Sequence, residues 1–265
     1  MKRNIITVPI HRVEAGADAS AQDLVAVEEP LQIRLAGRDI AITMRTPGRD
    51  RELAAGFLFT EGILRHASQI DGIAADKKGA IDVRLADDVQ IDFEQLARNF
   101  YVTSSCGVCG KASIDALRAA GCPALPRGHP VIDARILPGL PQKLREAQAV
   151  FEHTGGLHAA GLFDIWGKLL GLREDVGRHN AVDKLVGSAF LEDRLPLGEH
   201  ILMLSGRISF ELVQKALMAG IPIVAAVGAP SSLAVETALR FGMTLVGFLR
   251  GERFNVYAGR ERLSI

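Results

Sequence analysis

Ile201-Leu202-Met203-Leu204-Ser205-Gly206-Arg207 and Ala226-Val227-Gly228-Ala229-Pro230-Ser231-Ser232 decide the fold of this chain. Each begins as an apolar run and breaks at a glycine. Each then opens a segment whose apolar residues recur at helical spacing, at 209–219 and 232–241. Four to seven apolar residues between turn signals are a strand buried on both faces. The same alternation extends outward, with a strand hairpin over 157–163 and 168–173 and a helix over 178–190. Further strands are expected at 201–204, 221–227, 244–249 and 254–257. Short apolar strands alternating with helices predict an α/β layer with a largely parallel sheet.

The first ~125 residues read differently. Short strand-like segments occur at 24–28, 31–35, 39–44, 81–85 and 89–93. One helix interrupts them at about 51–64, with Asp50 as its expected N-cap. Pro123, Pro126, Pro130, Pro138 and Pro141 then mark a boundary, and a helix is expected over 142–152. The expected organisation is a smaller β-rich domain over 1–125 and an α/β domain over 126–265.

At 265 residues the chain can bury a large core. Lys+Arg and Asp+Glu are both 31, so bulk charge gives no reason to expect a nucleic-acid partner. The first residues lack the apolar stretch of a signal peptide, and no uncharged run approaches a membrane span. Three cysteines make no disulfide framework. The reading is a soluble cytoplasmic protein with reduced thiols.

Two of those cysteines, Cys106 and Cys109, share the run Thr103-Ser104-Ser105-Cys106-Gly107-Val108-Cys109-Gly110-Lys111. This spacing suits a redox pair, half of a zinc site, or a nucleophile with a partner thiol. A helix expected at 112–120 would lower the thiol pKa from its N-terminus, and Lys111 adds to that field. Gly107 and Gly110 give the loop freedom to move.

Three strand-to-helix junctions suit an anion. They are Val176-Gly177-Arg178-His179-Asn180, Ser205-Gly206-Arg207 and Gly228-Ala229-Pro230-Ser231-Ser232. Glycine admits close backbone approach, helix N-termini favour negative charge, and Arg178 and Arg207 are candidate phosphate clamps. Ser231 or Ser232 either caps its helix or meets the ligand. Glu174-Asp175 is a candidate acid/base or guanine-binding pair, or a cap for the following turn. His158 is a lone histidine at a strand start, more often structural than a ligand. Cys122 reads as a packing residue.

Several of these segments, in order, resemble the FdhD/NarQ family of formate dehydrogenase accessory sulfurtransferases. The resemblance rests on Ser104 to Lys111, Arg173 to Lys184, Ser205 to Glu211 and Ala226 to Ala234, nearly colinear over about 45–257. It implies a cytidine deaminase-like mixed sheet flanked by helices in the C-terminal part, usually in a homodimer. It implies sulfur transfer from a cysteine desulfurase to a molybdenum or tungsten bis(molybdopterin guanine dinucleotide) cofactor. The client is a formate dehydrogenase, and GDP serves as a mimic of the cofactor. Cys106 is then the persulfide-bearing residue and Cys109 its second cysteine, of less settled role. The implied cofactor-binding residues are Phe248, Leu249, Arg250, Gly251, Glu252 and Arg253. Ser205, Gly206, Arg207, Gly228 and Ser231 join them from the anion-type loops.

Two enzyme classes compete. A zinc-dependent deaminase places His-x-Glu ahead of Pro-Cys-x-x-Cys, whereas here His158 follows the cysteines, Ala160 stands at the Glu position and Ser105 replaces the proline. A thiol-disulfide oxidoreductase accounts for Cys106 and Cys109 but leaves the anion-type loops unexplained. A nucleotide-binding adaptor with incidental cysteines is the non-enzymatic alternative.

Overall fold

The computed structural model describes residues 4–76, 79–94, 122 and 124–265. Cys106, Cys109 and the helix expected at 112–120 lie outside the described residues.

Among those residues the largest sheet has six strands in the order β13-β12-β11-β10-β8-β9. β10 (His200–Leu204), β11 (Ile223–Ala226) and β12 (Thr244–Arg250) form its parallel centre. β8 (His158–Asp164), β9 (Leu169–Asp175) and β13 (Arg253–Ala258) flank it in antiparallel pairs. The continuous apolar runs are explained by burial on both faces. Leu202, Leu204, Val224 and Ala226 point into one core, and Ile201, Met203, Ile223 and Ala225 into a second on the opposite side. The first core lies under α4 (Arg178–Leu191), α5 (Phe210–Met218) and α6 (Ser232–Phe241); the second holds α2 (Leu140–Glu146).

A four-stranded sheet, β4-β3-β6-β5, forms in the first half. β3 (Glu29–Leu35) pairs antiparallel with β4 (Arg38–Arg45) and parallel with β6 (Ala80–Leu85), and β5 (Ile70–Ala75) closes the other edge. Leu31, Ile33 and Leu35 join Leu53 and Leu58 of α1 (Asp50–Thr60) in the same core as Leu202 and Ala238. Buried residues from both halves therefore form one continuous interior.

The joint is α1 against α4, and it is made by two glycines. A Cβ on Gly56 would lie 1.8 Å from the Asp183 carbonyl oxygen, and one on Gly187 would lie 1.9 Å from that of Glu52. The two helices thus meet backbone to backbone. Every residue of α4 from Asn180 to Phe190 is buried. The 3.6-residue pattern of a one-sided surface helix is accordingly weak there.

Several boundaries differ from the sequence reading. Asp50 is the first helical residue of α1 rather than its cap, because its carboxylate accepts from Arg45 Nε and Nη2 at 3.0 and 3.2 Å. That helix ends at Thr60, where Gly62 turns the chain at φ 73°. The helix expected over 142–152 is two helices, α2 and α3 (Ala149–Thr154). Residues 89–93 are not a strand: Val89 N–H closes a turn onto Ala86, and Ile91 and Phe93 pack on the core from irregular chain. The hairpin of β1 (Ile5–Glu14) and β2 (Ala17–Ala26) was largely unforeseen, since most of its residues are exposed and mixed in polarity.

Candidate functional site

Strand direction decides where the chemistry collects. β9 runs parallel to β10 because each is antiparallel to β8. The ends of β9, β10, β11 and β12 therefore share one edge of the sheet with the start of β8. That edge receives the N-termini of α4, α5 and α6, His158, and all three anion-type junctions.

Two of these junctions, at Ser205-Gly206-Arg207 and at Gly228 to Ser232, are bonded to each other. Gly228 N–H donates to Gly206 O at 3.2 Å, Ile208 N–H to Ala229 O at 3.0 Å and Ser231 N–H to Ile208 O at 2.9 Å. Phe248 N–H donates to Gly228 O at 3.1 Å. A Cβ at Gly228 would stand 2.7 Å from Gly206 O, so only glycine allows the two loops this approach. Ser205, Gly206, Arg207, Gly228 and the segment from Phe248 are thus one ridge. Ser205 Oγ accepts from Ala159 N–H at 2.8 Å, which ties the ridge to the strand carrying His158.

Phe248 is a non-glycine residue at φ 53°, in a bulge of the β12–β13 pair. The bulge turns its ring outward while Leu249 is fully buried. Arg250, Gly251, Glu252 and Arg253 form the exposed turn beyond it. Leu249 is a core side chain, so only its backbone is placed to meet a ligand. Ser231 is also accounted for: its hydroxyl accepts from Ala234 N–H at 3.2 Å and caps α6.

The Glu174-Asp175 pair is structural. The Glu174 carboxylate accepts from Val150 and Phe151 N–H at 3.1 and 3.0 Å and caps α3. Asp175 is buried against Lys184 Nζ at 2.6 Å. Its carboxylate also accepts from Gly177 N–H at 2.8 Å and from Asn180 Nδ2 at 3.1 Å. Lys184 donates to Thr46 O at 2.9 Å, so this network sets the loop ahead of α4 against the end of β4.

The field at the edge is positive. Burial lowers the pKa of His158, and Arg178 and Arg207 lower it further. His179 is pushed down to about 4, first by burial and then by Arg178, and its Nε2 lies 3.1 Å from Ser209 Oγ. Arg178 Nε is buried with no hydrogen-bond acceptor. Gly177 and Ser209 make no side-chain cap to the helices they open. Two helix N-termini, an unpaired guanidinium N–H and the exposed Arg207 make this edge suited to an oxyanion.

Beside the ridge, on the α2 side of the sheet, is a cavity of about 380 Å³. Leu144, Phe151 and Leu157 supply apolar wall, and His158 and Ser205 border the ridge. Gln148 lines it too, and sequence reading passed over that residue. A glutamine between two short helices carries no pattern, and it becomes visible only when burial is known.

Fold and edge define a mixed α/β protein with an oxyanion-suited ridge at the carboxyl ends of its parallel strands. The profile of the FdhD/NarQ family matches residues 26–264. The sulfur carrier protein FdhD of Streptomyces avermitilis is 52% identical over 264 residues, covering 96% of this chain and 94% of that one. The protein of that name in Sulfolobus acidocaldarius is 46% identical over 258 residues, covering 97% and 98%. A crystal structure described as that of a formate dehydrogenase accessory protein from Desulfotalea psychrophila superposes with a TM-score of 0.79. It is 28% identical and covers 99% of this chain and 100% of that one. The chain belongs to the FdhD/NarQ family.

Proposed function

We propose that this protein is a sulfur carrier in formate dehydrogenase maturation. It takes sulfur from a cysteine desulfurase and delivers it to a molybdenum or tungsten bis-guanine-dinucleotide pterin. The sulfur-carrier role is supported by relatives near 50% identity along nearly the whole chain. The cofactor, a substrate here rather than a resident group, is supported by the ridge. The most telling feature lies on the same sheet edge, where Arg178 Nε is buried and without an acceptor.

In loading, the Cys106 thiolate attacks the terminal sulfur of the desulfurase persulfide. The donor's S–S bond breaks, and its cysteine leaves as a thiolate. Release of the carried sulfur as sulfide takes two electrons, which a second thiol supplies by forming a disulfide with Cys106. Cys109 has the spacing for that role. The protein's own contribution at the ridge is to hold the dinucleotide phosphates with Arg178, Arg207 and the N–H groups opening α4 and α5. A cytidine deaminase-like relationship of the C-terminal part, a homodimer and a cytoplasmic location complete this reading.

Intact-mass spectrometry after incubation with a cysteine desulfurase and cysteine tests it. Wild type gains one sulfur, about 32 Da, and Cys106→Ala does not. No gain on wild type with a competent desulfurase removes the carrier step.

A further inference from the structure

His179 is the second residue of α4, and it reaches across to the start of α5, where its Nε2 lies 3.1 Å from Ser209 Oγ. The Ser209 hydroxyl donates to the Glu211 carboxylate, whose Oε2 lies 3.9 Å from the same Nε2. A hydroxyl has one proton, and here it goes to Glu211. Ser209 Oγ therefore accepts from His179, which fixes the tautomer with its proton on Nε2. The lone pair is left on Nδ1.

Charges face this imidazole from three helices. Arg178 belongs to α4, Glu211 and Lys215 to α5, and Glu61 follows the last residue of α1. Lys215 is already committed: its buried Nζ lies 2.9 Å from Glu61, 3.0 Å from Asp183 and 3.0 Å from Thr60 Oγ1. Arg178 is not, since its buried Nε has no acceptor. The charge balance at His179 is thus decided by Arg178 against Glu211. In the free protein burial first and Arg178 second keep His179 uncharged down to about pH 4. An oxyanion at the start of α4 reverses this balance. It neutralises Arg178, offsets the positive end of the helix, and places a second negative charge beside an imidazole that already faces Glu211.

We infer that His179 takes up one proton from solvent, at Nδ1, when an oxyanion seats at the start of α4, so that loading and release of the ligand are linked to pH. The inference rests on the reading of this edge as an oxyanion site, and it names the residue through which pH acts there. By reciprocity, the proton strengthens anion binding by the same factor as the anion favours the proton. Affinity therefore rises as pH falls through the bound-state midpoint. A midpoint raised by about one pH unit corresponds to a tenfold gain. His158 faces Arg178, Arg207 and Asp175 instead. Asp175 is spent on Lys184, so His158 should respond less.

Nuclear magnetic resonance of the histidine rings of the full chain tests this, with inorganic sulfate as the probe because its charge is constant over the range used. His179→Gln assigns the His179 signal among the seven histidines. At matched ionic strength in chloride, that signal should stay flat from about pH 8 to about pH 5. In saturating sulfate it should titrate within the same range, and Glu211→Gln should draw its midpoint back down. His200 is the internal control. It is also half-buried, but it starts β10 at the opposite end of the sheet, among Arg194, Asp164 and Glu199, and sulfate should not move it. Wild-type affinity for sulfate should rise about tenfold across the range, and that of His179→Gln by clearly less. Saturable sulfate binding with the His179 signal still flat, or with His200 moving equally, overturns the proton linkage and leaves the oxyanion reading standing. Absence of saturable binding of both sulfate and pyrophosphate overturns both.

Discussion

Asp175 and Lys184 meet at 2.6 Å with side-chain exposures of 0% and 2%, joining the last residue of β9 to the middle of α4. Removing one member leaves a buried charge without its partner, which costs about 3–5 kcal/mol. Lys184→Met should lower unfolding free energy in urea by that order. The double variant Asp175→Asn with Lys184→Met should recover part of the loss. If the single and double variants are equally destabilised, the pair is not the source of the effect.

Arg178 Nε is held ready without an acceptor. Hydrogen bonds to charged groups contribute about 1.5–3 kcal/mol, so Arg178→Ala should weaken GDP binding by about tenfold or more. Arg178→Lys should not restore it fully, because a point charge lacks the guanidinium fork. Titration at two salt concentrations should show a shallower salt dependence in the variant than in wild type.

His179 gives a pH signature. Its pKa is pushed down from the ordinary 6.5 to about 4 by burial, with Arg178 adding to the effect. The unfolded chain takes up the proton near 6.5 while the native chain still refuses it. The stability linked to this group is therefore present above 6.5 and is lost as pH falls from 6.5 to about 4. His179→Gln should flatten that part of the thermal-unfolding profile relative to wild type. A variant whose profile parallels wild type between pH 7 and pH 4 would assign the slope to other groups.

Ser231 separates capping from binding. Its hydroxyl accepts from Ala234 N–H, and losing an N-cap costs about 1 kcal/mol. Ser231→Ala should lose about that much stability in denaturant titration and keep its GDP affinity. A large loss of affinity would return Ser231 to the binding surface.

The parallel centre of the sheet was legible because buried strands such as Ile201 to Leu204 leave no polar face to interrupt the run. The loops after them were legible because Gly206 and Gly228 mark places where backbone must come close. Pairing was not legible. Glu174-Asp175 reads as an acid/base or guanine-binding pair, or as a cap for the following turn, yet Glu174 spends its carboxylate on the start of α3 and Asp175 on Lys184. Both partners are set by folding, so spacing along the chain does not reveal them. The β1–β2 hairpin escaped for the opposite reason: its outward residues face water, and alternation without burial leaves little trace.

Gly56 and Gly187 belong to helices from opposite halves of the chain, and neither position has room for a side chain. A hybrid built from the first half of one relative and the second half of another must match at this crossing before anything else in it can fit. Even a single added methyl on either helix would have to move a carbonyl of the other, at about 1–3 kcal/mol or more. Inheritance of the two halves is thereby coupled: drift in one helix is tolerated only while the other still presents bare backbone to it.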